Sequence, residues 1–260
     1  MDYAARVGRA QRVELDSPTE DLPHVVWLGH ASFLLQWQGQ KILIDPVFKK
    51  RIGWYRRHLP VPDLKKLIHP DAVLVTHAHM DHLDTSWIRG NSTGSIVVPQ
   101  RAERFFRRGD QARITSLALG ESSALGDLQV TATYARHGGW RYPWQRGYSA
   151  CGYLVSDGAH TVYFCGDSAW GGHFEELGKS VKVDVAVLPI GAYAPQWFLG
   201  KRHLNPPEAL GAAQALGARR VIPFHFGSYR LSLEPLDAPL RWFARVALER
   251  KVEWDVPYCF

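Results

Sequence analysis

Four side chains that commonly bind metal ions occur within six consecutive positions of this sequence. They lie in the run Thr76-His77-Ala78-His79-Met80-Asp81-His82, directly after the apolar stretch 72–75. Imidazole nitrogens and carboxylate oxygens are donors that zinc and related divalent ions accept. His77 and His79 stand two positions apart on an extended chain, so both face one side and can chelate one ion. Asp81 and His82 lie past the bend and suit a second ion. The alternative is a polar loop with accidental histidines.

Further candidate ligands stand at the ends of later β-rich runs. Each follows a run of apolar and β-branched residues and lies close to a glycine, which lets the backbone approach closely. Strands of layered α/β proteins direct such residues to the carboxyl edge of a sheet, where their active sites lie. Taken singly, each signal is weak, because a single histidine at a strand end is more often a hydrogen-bonded surface residue. Together with the run 76–82, they predict a dinuclear centre completed by His137, Asp167 and His225.

This ordered set resembles the signature of the metallo-β-lactamase superfamily, H-x-H-x-D-H followed by His, Asp and His at strand ends. The set contains no cysteine, so it differs from the lactamase subtype with a thiolate ligand. Histidine rather than glutamate at position 79 also separates it from the flavin-linked diiron oxygen reductases. The resemblance implies a first metal held by His77, His79 and His137, a second held by Asp81, His82 and His225, and Asp167 as the bridge.

A narrower resemblance is to the N-acylphosphatidylethanolamine-hydrolysing phospholipase D branch, which shades into cytosolic hydrolases similar to ascorbate-6-phosphate lactonase. It implies a dinuclear zinc phosphodiesterase that uses a metal-bridging hydroxide as its nucleophile, with a cytosolic lactonase or other ester hydrolase as the alternative. The sequence departs from the phospholipases in its short amino-terminal segment and in residues 138–150. The segments that carry the resemblance are 27–33, 42–48, 188–193, 203–209 and 223–229.

The resemblance also implies catalytic residues and a metal. Asp81 is expected to act in catalysis as well as in metal binding. His203 is expected to contact substrate or donate a proton, or else to anchor its loop. Tyr193 would bind an oxyanion or simply wall the pocket. Two zinc ions per chain suit the histidine-rich set, although iron or manganese accepts the same donors.

Four more residues are candidates for supporting roles near the metals. Asp45, Thr76 and Asp84 either orient the ligands through hydrogen bonds or stabilise turns. His30 either borders the pocket or stabilises the turn in which it lies. The spacing of these residues does not decide between the two roles.

Charge and composition limit the partners. The 260 residues include 31 Lys and Arg against 25 Asp and Glu, a formal net charge of +6. This charge favours a small anionic or lipid phosphodiester substrate, yet no basic run is long enough to predict nucleic-acid binding. No run approaches the ~20 apolar residues of a membrane span, and the start lacks a signal-peptide core. We therefore expect a cytoplasmic protein with at most peripheral membrane contact; its oligomeric state does not follow from the sequence.

The pattern of strands and helices predicts one domain over residues 1–260. Its fold class is α/β (α+β), a four-layer αββα sandwich of the metallo-β-lactamase type. We expect strands at 25–28, 32–36 and 42–44, and helices at 86–89, 101–107, 207–216 and 239–249. A catalytically idle metal-binding protein would lack one or more ligands, and all seven are present. A zinc-dependent nuclease would need basic residues that are less scattered.

Overall fold

The computed structural model describes residues 22–142, 144 and 149–255. The strands are β1 (His24–Gly29), β2 (Ser32–Trp37), β3 (Gln40–Ile44), β4 (Arg51–Ile52), β5 (Tyr55–Arg56), β6 (Ala72–Leu74), β7 (Ser95–Pro99), β8 (Ile114–Leu117), β9 (Ser122–Leu125), β10 (Leu128–Gly138), β11 (Ser149–Ser156), β12 (Thr161–Phe164), β13 (Val185–Pro189) and β14 (Arg220–Phe224). The α-helices are α1 (Thr85–Asn91), α2 (His173–Ser180), α3 (Gln196–Leu199), α4 (Pro206–Ala215) and α5 (Ala238–Arg250). None of the helices in these ranges is long and apolar enough to cross a membrane.

Two six-stranded sheets carry the architecture. The first has the order β1-β2-β3-β6-β7-β8 and the second the order β14-β13-β12-β11-β10-β9. In the first sheet β3, β6, β7 and β8 pair in parallel, and in the second β12, β13 and β14 do so. Parallel neighbours end at the same edge of a sheet. The loops after β3, β6, β12 and β14 therefore begin at the carboxyl edges, where the predicted ligands lie.

Side chains of the first sheet alternate between two apolar layers, as the period of a strand requires. Trp27 and Phe33 point to the layer shared with the second sheet, where the Phe33 ring lies 5.8 Å from that of Phe164. Val26 and Leu34 point to the opposite layer, which Ile88 of α1 covers. Helices α4 and α5 contribute their own apolar residues to the larger cluster. These layers confirm the αββα sandwich.

The strands and helices expected from the sequence form as predicted, to within two residues at their ends, with one exception. The expected helix at 101–107 is wrong, because only a 3-10 turn over Ala102–Phe105 forms there. It starts after Arg101 in the left-handed region, with φ 76°, and Phe106 returns to extended backbone. The predicted single domain over residues 1–260 stays a prediction, since 1–21, 143, 145–148 and 256–260 lie outside the described residues.

Candidate metal centre

The seven predicted ligands come from four separated segments and meet at the carboxyl edges of the two sheets. The run 77–82 follows β6 in the first sheet. The other three residues belong to the second sheet, where His137 lies near the end of β10, Asp167 follows β12 and His225 follows β14. The two sheets thus contribute ligands to one place between their edges.

Three imidazoles form the first half of the centre. His79 Nδ1 lies 2.9 Å from His77 Nε2 and 3.1 Å from His137 Nε2. Zinc held tetrahedrally at about 2.0–2.1 Å from each nitrogen separates its ligands by about 3.3 Å. The three nitrogens therefore face one another at nearly the spacing that a shared zinc ion would impose.

A carboxylate and two imidazoles form the second half. Asp81 Oδ2 lies 3.5 Å from His225 Nε2 and 3.7 Å from His82 Nε2. The side chains of His82 and His225 are buried, and that of Asp81 is 14% exposed. Such a mixed oxygen and nitrogen set suits the same divalent ions as the first half.

Asp167 lies between the halves. Its Oδ2 atom is 3.9 Å from His77 Nε2 and 3.8 Å from His137 Nε2 in the first half. The same atom is 3.3 Å from both His82 Nε2 and His225 Nε2 in the second. One carboxylate oxygen thus reaches both sets of donors, as a bridging ligand must.

Buried donor atoms without partners test whether the centre fits metal ions. His82 Nε2, His225 Nε2 and Asp167 Oδ1 are buried and have no hydrogen-bond partner. Buried polar atoms without partners are costly and rare in native proteins. Because these atoms lie in the donor set itself, a cation between them would satisfy them. The residues present therefore fit a metal pair.

Burial and mutual attraction set the charges of the centre. Burial raises the pKa of Asp167, but the imidazoles of His225 and His82 outweigh burial and hold that pKa well below its ordinary value. The pKa of Asp81 is lowered in the same way. Burial lowers the pKa of His79 to about 4. Ionised carboxylates beside a neutral imidazole are the forms that bind metal.

Two imidazoles differ because they face both carboxylates. Burial lowers the pKa of His225, but the carboxylates of Asp167 and Asp81 together outweigh burial and raise the pKa to about 9. The pKa of His82 is raised well above its ordinary value for the same reason. These two side chains would release a proton on binding a cation.

Comparison with known proteins identifies the family. A family model described as the β-lactamase superfamily domain matches residues 40–226. The chain belongs to this superfamily. It is 32% identical over 211 residues to a UPF0173 metal-dependent hydrolase of Pyrobaculum arsenaticum, a match that covers 79% of this chain and 84% of the relative. It is 31% identical over 243 residues to N-acyl-phosphatidylethanolamine-hydrolyzing phospholipase D 1 of Caenorhabditis elegans, covering 81% of this chain and 67% of that protein.

The structural comparison agrees on the fold. Igni18, a metallo hydrolase from the archaeon Ignicoccus hospitalis, superposes with a TM-score of 0.66 at 21% identity over 91% of this chain and 95% of that one. The chain spans only 66% of the length of the mycobacterial proteins that it matches at 30% identity. Together the comparisons place this chain in the β-lactamase superfamily and give it the metallo-β-lactamase fold.

Hydrogen bonds behind the ligands fix their orientation in this metallo-β-lactamase fold. His82 Nδ1 donates to Asp45 Oδ2 over 2.7 Å. The Thr76 hydroxyl donates to the same carboxylate oxygen over 2.6 Å and accepts from His77 Nδ1 at 3.0 Å. His137 Nδ1 donates to the Arg202 carbonyl oxygen over 2.9 Å. In each ligand the bonded nitrogen leaves Nε2 free to face the centre.

Asp84 plays a different part from Asp45 and Thr76. Its Oδ1 atom accepts from the backbone N–H groups of Ser86 and Trp87 and so caps α1. It also lies 3.1 Å from Lys49 Nζ. Of the three proposed orienting residues, Asp45 and Thr76 contact ligands, whereas Asp84 has the structural role.

Three residues at the centre adopt left-handed backbone conformations. The φ angles of His30, Asp45 and His225 are 56°, 44° and 63°. Only glycine adopts this region without steric cost. Gly166, beside Asp167, has φ 61°, and a Cβ there would lie 2.9 Å from the Thr76 Cβ. The first and second sheets therefore approach each other closely where Asp167 enters the centre.

His30 and His203 both lie against the candidate ligands, His30 from the turn between β1 and β2 and His203 from the loop between α3 and α4. His30, buried in the turn between β1 and β2, places Nε2 3.0 Å from Asp81 Oδ2. Its carbonyl oxygen accepts from the backbone N–H of His225 at 3.2 Å. His203 places Nδ1 3.7 Å from Asp167 Oδ2, and this nitrogen has no hydrogen-bond partner. Both predicted pocket residues therefore stand at the centre.

Tyr193 is placed differently. Its ring lies 5.5 Å from that of Trp242 on α5, with the planes at 72°. Burial, followed by the nearby Glu234 carboxylate, raises the pKa of its hydroxyl. The structure gives no contact between Tyr193 and the seven ligands within the described residues. The oxyanion role of Tyr193 stays a prediction.

Arg57 is a structural residue that the sequence does not reveal. Its guanidinium is buried and donates to the carbonyl oxygens of Leu28 at 2.8 Å, Val47 at 3.2 Å and Leu59 at 3.2 Å. Arg57 appears in the sequence as one more member of a basic patch, and no local signal separates it from Arg56. It ties the end of β1 to the loops around the centre.

Proposed function

We propose that this chain is a dinuclear zinc hydrolase, a phosphodiesterase of the N-acylphosphatidylethanolamine phospholipase D type. The observation that carries the proposal is the position of Asp167, whose Oδ2 atom lies 3.3–3.9 Å from donor nitrogens of both halves of the centre. A carboxylate that faces two adjacent donor sets would hold two ions close enough to act on one substrate, as in a two-metal hydrolase.

Zinc is proposed from the donor set. The seven ligands supply five imidazoles and two carboxylates. Iron and manganese accept the same donors, so the metal is a separate part of the proposal and needs a separate measurement. Elemental analysis of the purified protein measures both the metal and its stoichiometry.

The chemistry divides between the ions and the chain. Two bound zinc ions would make hydroxide available at neutral pH and neutralise charge growing on a phosphoryl oxygen. Asp81 and Asp167 supply the negative charge that balances the cations. Burial lowers the pKa of His203 well below its ordinary value, so its imidazole is neutral in the free protein. We assign His203 to contact with substrate, where it orients the reacting group or relays a proton to the leaving oxygen.

The phosphodiester substrate is proposed from two observations. The worm relative that covers most of this chain is named for hydrolysing a phospholipid. The formal net charge of +6 favours an anionic substrate. No nucleic-acid partner is proposed.

A lactonase or other ester hydrolase is the second candidate. The Pyrobaculum relative is named only as a metal-dependent hydrolase, and this chain covers 84% of it against 67% of the worm phospholipase. The same centre would activate an ester carbonyl as readily as a phosphoryl group.

A substrate screen with metal analysis tests both candidates. Purified protein is offered N-acylphosphatidylethanolamine, simple phosphodiesters, lactones and β-lactams, with Asp167→Asn as the inactive control. Release of phosphatidic acid by the wild type alone supports the phospholipase. Turnover of lactones without any phosphodiester cleavage contradicts it and favours the second candidate. Fewer than two ions per active chain contradicts the dinuclear centre.

A further inference from the structure

A short basic hairpin projects beside the centre and is not used by the proposed chemistry. It consists of residues 49–56, with β4 and β5 joined by a turn at Gly53, whose φ is 56°. All of its side chains are exposed except that of Ile52. Trp54 at its tip is 90% exposed, the highest exposure among the large apolar side chains of the described residues. Leaving an indole this exposed forgoes the stabilisation that burial gives.

Three of the four cations of the basic hairpin form no ion pair among the residues that the structure describes. Arg51 and Arg56 stand directly opposite each other in the β4–β5 pair. Like charges in this arrangement are destabilising. Of the hairpin's four cations, only Lys49 forms an ion pair, with Asp84, among the residues that the structure describes. Lys50, Arg51 and Arg56 therefore present unneutralised positive charge beside an exposed indole.

The hairpin is held rigidly beside the centre. Ile52 packs with Val47, Tyr229 and Leu231 in a small apolar cluster. Arg57, directly after β5, forms an isolated bridge with Tyr229. Tyr229 lies four residues past the ligand His225, so the hairpin packs against the loop that carries this ligand.

We propose that the basic hairpin docks this protein on an anionic lipid bilayer. An indole has an apolar body and a polar N–H, and it favours the interface between headgroups and hydrocarbon. Clustered lysines and arginines are attracted to the negative surface of such a bilayer. A nucleic acid would also attract these cations. The hairpin is too short to track a phosphate backbone, and its single tip indole suits insertion at an interface, so the bilayer is favoured.

The inference deepens the proposed function, because docking would bring the centre to a surface that contains phospholipids. Binding is nevertheless measured without turnover. A protein that binds vesicles and cleaves no lipid would leave the docking intact and remove the phospholipase. A protein that cleaves lipid in detergent but does not bind vesicles would support the phospholipase and contradict the docking.

Vesicle sedimentation tests the docking. The full chain is mixed with phosphatidylcholine vesicles with and without phosphatidylglycerol. Wild type is compared with the triple variant Lys50→Ala, Arg51→Ala, Arg56→Ala. The matched control is Lys182→Ala, Arg219→Ala, Arg220→Ala, which removes three exposed cations near the amino ends of β13 and β14, away from the centre. Trp54→Ala is compared with Trp197→Ala, since the side chain of Trp197 is likewise highly exposed, at 77%.

The expected outcome is binding that needs phosphatidylglycerol and falls roughly tenfold or more in the hairpin triple variant. Trp54→Ala should also weaken binding, while both controls bind as the wild type does. Unchanged metal content and circular dichroism show that the variants are folded. Equal loss in the control triple variant, binding that ignores phosphatidylglycerol, or no binding at all overturns the proposal. Hairpin-dependent binding to DNA or RNA without vesicle binding overturns it in favour of a nucleic-acid partner.

Discussion

The Nδ1 atom of His82 donates a 2.7 Å hydrogen bond to Oδ2 of Asp45, although the two residues are 37 positions apart. Asp45 follows β3 and His82 follows β6, and the parallel pairing of these strands brings the two loops together. The carboxylate fixes the tautomer of the imidazole, so that Nε2 carries the lone pair facing the centre.

Replacing Asp45 by Asn should weaken metal binding. The amide keeps the size of the carboxylate but loses its charge, so it holds the imidazole of His82 less well. We expect metal affinity to fall roughly 10- to 100-fold, measured by competition with a chelator of known affinity. Asp84→Asn is the control, because Asp84 caps α1 and touches no ligand; asparagine caps a helix as well as aspartate does, so metal affinity should stay unchanged. Equal metal loss in both variants would contradict the assignment.

Replacing Asp167 by Asn should remove activity and bound metal together. The change keeps the shape of the side chain but deletes the charge that faces both halves of the centre. Elemental analysis should find fewer ions per chain than in the wild type. Asp110→Asn is a matched control, since Asp110 is also buried and pairs with Arg113 away from the centre. Full occupancy and normal turnover in Asp167→Asn would refute its bridging role.

Replacing His203 by Ala should slow turnover and leave both ions bound. His203 Nδ1 lies 3.7 Å from Asp167 Oδ2, a distance within the range of the assigned ligands, but the family resemblance places His203 outside the seven-residue ligand set. Loss of a general acid or substrate contact lowers kcat by roughly 10²- to 10⁴-fold. Steady-state kinetics and metal analysis on the same preparation check this. Metal loss in His203→Ala would make His203 a ligand instead.

Removing the metal should destabilise the fold. The centre gathers buried ionised groups, and the cations that neutralise them bind only the folded chain. Ions present at 1,000 times their dissociation constant contribute about 4 kcal/mol per site. At ~2–4 °C per kcal/mol for a chain of this size, chelation should lower Tm by at least about 8 °C for each ion removed, or about 16 °C for the pair. Differential scanning calorimetry with and without chelator, followed by zinc addition, measures the shift and its reversal. An unchanged Tm would mean that the centre is empty in the native protein.

Two cysteines should be unreactive in the native protein. Cys151 and Cys165 are free and buried, and burial raises the pKa of each thiol to about 12. The thiolate is the reactive form, so neither should be alkylated at pH 8. Mass spectrometry of iodoacetamide-treated protein, peptide by peptide, should find both modified only after denaturation. Cys259 lies outside the described residues and serves as no control. Modification of Cys165 without unfolding would show that β12 opens locally.

The seven candidate ligands, which the structure brings together, could be located in the sequence because their signal is local. Four of them share the segment 76–82, and the others each end a β-rich run near a glycine. The αββα layers followed from the resemblance and from the alternation of apolar residues. Such signals depend on strand periodicity and ligand chemistry, which the sequence displays directly.

The supporting residues were not predictable in the same way. Asp45 and Asp84 are both aspartates close to apolar segments, yet one orients His82 and the other caps a helix. Their roles depend on which strands pair in parallel, a tertiary property. The guanidinium of Arg57 is buried and donates to the carbonyl oxygens of Leu28 and Val47, which are distant in sequence. The side chain of Arg56 beside it is exposed. The position of Tyr193 against α5 depends equally on helix packing.

The left-handed conformations of His30, Asp45 and His225 lower the stability of the fold at positions whose side chains the centre uses. Each non-glycine residue in this region costs roughly 1–2 kcal/mol, and glycine at any of the three would relieve that cost while deleting a functional side chain. Directed evolution that rewards heat resistance in the absence of metal should therefore accumulate glycines at these positions, whereas bound metal would favour keeping His225. Libraries built on this scaffold and selected without metal therefore need an activity screen in every round, because selection for stability alone would not retain the centre.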